Sequence, residues 1–93
     1  MEVNNEIAKK AKEYALLKKR ADFLYKDLKK YAEENGFRDV YIDDFDVSEK
    51  PTGDEQGGGK YCDQHMSGED CGYGTYFLPI EKNGGYLAIY YSF

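Results

Sequence analysis

Residues 62–71, Cys-Asp-Gln-His-Met-Ser-Gly-Glu-Asp-Cys, hold most of the side chains in this chain that could do chemistry. Cys62 and His65 stand in a Cys-x2-His spacing, and Cys71 follows six residues after the histidine. Thiolate and imidazole are good zinc ligands, so a zinc on Cys62, His65 and Cys71, with Asp63, Glu69 or Asp70 as a fourth ligand, would order this segment. The spacing fits no standard zinc module. A disulfide between Cys62 and Cys71 is a second option, and two ordinary reduced thiols are the simplest one. Cysteine-nucleophile catalysis would need His65, the single histidine, to reach a thiol and a further residue to orient it. No such third residue stands out, and the chain is not expected to be an enzyme.

The second candidate constellation is acidic and aromatic. The chain has 93 residues, a net charge of −5, ten tyrosines, five phenylalanines and no tryptophan. Residues 1–35 carry nine Lys/Arg against seven Asp/Glu, whereas residues 36–93 carry four against eleven. Such a field repels nucleic acid directly and attracts a basic partner. Asp39, Asp43, Asp44, Asp46 and Glu49 cluster on one segment, and Phe77, Tyr86 and Tyr90 belong to an aromatic-rich C-terminal stretch. Together they are the expected partner-binding residues, carboxylates as phosphate mimics and rings as apolar anchors. Acid on an edge strand also discourages edge-to-edge pairing, which is the plainer explanation for the same residues. The run Gly57-Gly58-Gly59 is not a phosphate loop, because no Gly-Lys-Ser/Thr follows it and Asp54 and Glu55 would repel phosphate.

The elements that must position these groups read as follows. Asn4 and Asn5 supply caps for a helix over about residues 5–35, and Asn35-Gly36 ends it. Ile7, Ala11, Tyr14, Leu17, Ala21, Leu24, Leu28, Tyr31 and Ala32 give it an apolar stripe at helical spacing. Leu16 and Phe23 sit off that stripe, as part of a wide face or as a ridge for a partner or a second copy. Residues 38–47 read as a strand whose alternation slips at Asp43-Asp44, a β-bulge signal. Residues 48–72 read as a flexible, acidic, glycine-rich loop. Residues 73–93 read as a β-hairpin turning at Asn83-Gly84, which sets Ile80 opposite Leu87 and Tyr76 opposite Tyr91. Pro79 lacks an N–H, which places residues 73–80 at a sheet edge and the last strand beside residues 38–47.

The expected architecture is α+β in a single domain: one long N-terminal helix on one face of a three-stranded, mostly antiparallel sheet, with its stripe covering the hairpin. No stretch reaches the about 18 apolar residues of a membrane span, and the first residues lack a signal peptide's apolar core, so a cytoplasmic protein is expected. The expected function is a small acidic module occupying a basic surface of a larger protein, most concretely an inhibitor of a nucleic-acid-processing or defence nuclease. Phage anti-defence proteins, anti-CRISPR inhibitors among them, and toxin-immunity proteins share this general character. A zinc-stabilised structural module and a homodimer are the alternatives.

Overall fold

A computed structural model describes residues 2–93. A 30-residue helix α1 (Asn5–Glu34) precedes five strands: β1 (Tyr41–Ser48), β2 (Asp54–Gly57), β3 (Lys60–Met66), β4 (Gly72–Pro79) and β5 (Tyr86–Ser92). They form one antiparallel sheet in the order β1-β5-β4-β3-β2. The class is α+β, with five strands where three were expected.

The two extra strands lie in the segment read as a flexible loop. Gly58 and Gly59, at φ 62° and 77°, make the tight turn between β2 and β3, with Gly57 opposite Lys60. Consecutive left-handed residues match the twist of a two-residue hairpin, and glycine adopts them without a Cβ clash. The triple glycine is thus a turn. β3 pairs along β4 from Met66 opposite Gly72 to Tyr61 opposite Phe77. Residues 73–80 are therefore interior to the sheet rather than its edge. β3 stops pairing two residues short of Pro79, where no partner N–H is called for.

The hairpin turns one residue earlier than Asn83-Gly84. Lys82 and Asn83 take the positive φ values, 59° and 57°, and Gly84 N–H donates to the Glu81 carbonyl at 3.2 Å. Gly85 supplies the reason: its φ is 84°, and a Cβ there would stand 2.6 Å from the Ser48 carbonyl oxygen of β1. Consequently Leu78 faces Leu87 and Tyr76 faces Ile89, a two-residue displacement from the expected register. An even displacement keeps every side chain on its face. β1 pairs with β5 as expected, with a register shift between Ile42 and Asp44 at the expected bulge.

Helix coverage differs most. Asn4 Oδ1 accepts from Ile7 N–H as the N-cap, and Asn35 closes the other end. Only the last turns meet the sheet: Tyr25 and Leu28 are half-buried, and Ala32 is buried against Ile42 and Ile89. Tyr25 packs edge-on against Phe45 and donates its hydroxyl to the Ile42 carbonyl at 2.6 Å. Tyr14, Leu17 and Leu24 remain exposed, so the stripe does not cover the hairpin along its length. The radius of gyration is 17.3 Å, against about 12 Å for a compact chain of this size.

Opposite the helix, Phe77 and Ala88 are buried while Tyr90 is exposed. Tyr61 and Tyr86, on the strands flanking β4, meet edge to face at 6.0 Å and shield Phe77. Phe77→Ala should cost about 3 kcal/mol and Tyr90→Ala less than about 1 kcal/mol, measured by urea denaturation. Equal costs would contradict this division of the face.

Candidate partner-binding surface

Strand parity assigns the chemistry-bearing residues to opposite faces. On the helix side, Cys62 lies opposite Tyr76, and Gln64 lies opposite Gly74, which lies opposite Tyr91. A Cβ at Gly74 would approach the Tyr91 hydroxyl to 2.9 Å, so the bare glycine leaves that ring room to cross β4. The hydroxyl donates to Gln64 Oε1 at 2.7 Å and sits 3.3 Å from Cys62 Sγ. Burial first, then the Cys62 hydrogen bond, raises the Tyr91 pKa well above the ordinary phenol value. Phe37 packs edge-on against Tyr76 and Tyr91 at 5.2 and 6.1 Å, closing one side of a cleft of about 520 Å³ that also touches Cys62 and Val40.

On the other face, His65 Nε2 lies 3.0 Å from Asp63 Oδ1 and stacks on Tyr73 at 5.4 Å. Thr52 donates its hydroxyl to the other Asp63 oxygen at 2.7 Å. Cys62 and His65 are three residues apart on one strand and so point to opposite sides. Cys71 is exposed beyond the end of β3, where its Sγ accepts from the Ser67 hydroxyl at 3.5 Å. From Cys62 to the level of Cys71 is about 15 Å of strand. Both cysteines are free, and among the described residues Cys62, His65 and Cys71 do not gather as a ligand set. The Asp63–His65 pair likewise has no thiol beside it.

Comparison with protein-family models, curated proteins and solved structures found no match. What the surface can do is read from its own groups.

β1 is an outer strand, and by register Asp44, Asp46 and Ser48 share the helix-free face with Tyr90, Ala88 and Tyr86. Asp44 and Asp46 each accept the N–H of the following residue, at 2.8 and 2.7 Å, which fixes their carboxylates along the strand. Asp43, at the bulge, accepts the Ser92 hydroxyl at 3.3 Å. Asp39 precedes β1 and Glu49 follows it, both exposed. Among the described residues the contacts between acidic and basic side chains are Lys10–Glu6 and His65–Asp63, so none of these five carboxylates is ion-paired. Tyr90 is exposed and Tyr86 half-buried beside them, whereas Phe77, expected as an anchor, is buried and holds the sheet together instead. Tyr73, which alternation along residues 73–79 places on this face, is exposed there, as is Tyr41, which sequence reasoning did not single out.

A raised folded-state pKa for Tyr91 means its contribution to stability is complete below pH about 10 and is lost as pH rises further. Tyr91→Phe should lower stability by about 1 kcal/mol at neutral pH, with the gap to wild type narrowing in alkali. Urea denaturation at both pH values checks this, and a pH-independent gap would contradict the assignment.

Proposed function

We propose that the protein is a binding module whose helix-free sheet face engages a basic surface of a larger protein. The observation that carries the reading is the row of carboxylates on and around β1 with no cationic partner, set beside exposed tyrosines on a face no element covers. Side chains two residues apart on one strand face recur at about 6.6 Å, so Asp44 and Asp46 offer evenly spaced anionic acceptors. Their carboxylates are held by local hydrogen bonds rather than free to sweep, which lowers the entropy lost on contact. Tyr90 supplies ring area and a hydroxyl at low conformational cost.

Basic surfaces with this complementarity are found on proteins that bind the nucleic-acid backbone. The most concrete form of the proposal is inhibition of a nucleic-acid-processing enzyme, by blocking its basic groove or by imitating phosphates. Electrostatic recognition of this kind speeds association and weakens with salt.

Charge reversal at Asp44 and Asp46 should reduce affinity for such a partner by about tenfold or more and flatten its salt dependence. The check is capture from a host lysate by the wild-type and reversed proteins at two salt concentrations, then direct titration of whatever is bound. A basic nucleic-acid-binding protein retained only by the wild type at low salt is the expected result. Equal retention by both proteins would refute the role of these carboxylates.

A further inference from the structure

The exposed part of α1 carries a seam that its own chain leaves uncovered. Ile7, Tyr14, Leu17, Leu24 and Tyr31 are exposed, and with Lys10, Ala21 and half-buried Leu28 they repeat at alternating steps of three and four residues. That is a heptad seam, with Ile7, Tyr14, Ala21 and Leu28 at a and Lys10, Leu17, Leu24 and Tyr31 at d. Leu17 is 60% exposed and Tyr14 68%. Helix stability comes mainly from packing of the apolar face, and one exposed Glu6–Lys10 pair at 3.9 Å does little to replace it.

We propose that this seam is occupied by the same seam of a second copy, running antiparallel, to form a homodimer. Area supports a partner of this size. The accessible surface is 7716 Å², against about 5,500 Å² for a compact monomer of this mass. The excess, roughly 2,200 Å², exceeds the about 800 Å² per partner that a stable interface buries.

The seam lysine and the acidic sheets set the direction of the second copy. In a parallel pair Lys10 would meet Lys10 inside the seam, and the two acidic sheets would lie side by side. An antiparallel pair with Tyr14 against Leu17 of the second copy places Ile7 on Leu24, and Lys10 beside the small Ala21, where its stem can lead the ammonium to water. In that register Glu13 faces Arg20 of the second copy, twice by symmetry. Glu6 then faces Asp27 at the solvated ends. Sliding by one heptad would instead oppose Arg20 to Arg20. The same pairing brings the start of the second copy's helix towards Leu28, at the mouth of an open groove of about 510 Å³ lined by Leu28, Tyr31, Leu78, Ile80 and Leu87. The seam is thus continuous with apolar sheet surface the helix leaves bare. Leu16 and Phe23 lie about 130° around the helix and stay outside the contact.

Sedimentation velocity of the full chain over a wide concentration range is the test. The expected species has twice the 10.7 kDa chain mass. Leu17→Glu and Leu24→Glu, at positions already exposed, should weaken dimerisation by about a hundredfold or more, while Leu16→Glu leaves it unchanged. Glu13→Arg or Arg20→Glu alone should weaken it several-fold, and the double swap should restore it. Seven residues apart on one helix, the two do not touch within a chain, so restoration reports the antiparallel contact. A monomer at every concentration, a dimer indifferent to Leu17→Glu and Leu24→Glu, or one lost instead through Leu16→Glu would overturn the seam. A swap that fails to restore would overturn the direction. Heterologous capture by the helix with no self-association would overturn the choice of a second copy.

Discussion

The docking of the last turns of α1 on β1 and β5 is the contact on which the arrangement depends. Ala32 is buried against Ile42 and Ile89, and the Tyr25 hydroxyl bonds to the Ile42 carbonyl. Phe37, just past the helix end, completes the cluster through its edge contacts with Tyr76 and Tyr91. One short contact therefore fixes the direction in which a helix of 30 residues, about 45 Å, leaves the sheet. It also leaves one sheet face free of any helix. The acidic outer strand and its tyrosines are exposed for that reason.

Within the sheet, the controlling device is the pairing of small residues with rings. Gly74 lies beneath Tyr91, and Gly72 approaches Phe93, so the C-terminal aromatics lie over β4 and reach β3. Tyr91 thereby ties Gln64 and the Cys62 thiol into the core side of the sheet. The same two-residue period that makes this possible turns His65 to the other side, next to Asp63 and Tyr73. A motif that is compact in sequence is divided between two environments.

Much of the architecture was legible because period two survives errors of turn placement. The hairpin turn was displaced by one residue, yet Tyr76, Leu78, Leu87, Ile89 and Tyr91 kept a common face. The bulge near Asp43 followed from broken alternation; β1 pairs with β5 as expected, although β4, expected at an edge because of Pro79, also pairs with β3. β2 and β3 were not legible: Asp54, Glu55 and Gln56 lack any apolar alternation, and β3 has only a weak one. Their pairing depends on the Gly58-Gly59 turn and on the edge of β4. The helical stripe was legible as a surface needing cover, but periodicity carries no information about what covers it. Exposure of Tyr90 and burial of Phe77, adjacent in expectation, were decided by where the Tyr61 and Tyr86 rings meet.

Amide hydrogen exchange along α1 at low and high protein concentration tests most directly whether a second chain is what the long helix lacks. At low concentration residues 5–24 should exchange quickly, while β4, β5 and the turns around Tyr25 and Ala32 stay protected. At high concentration protection should extend along the whole helix. Full protection of residues 5–24 at every concentration would show that the chain covers its own helix, and would contradict the arrangement described above.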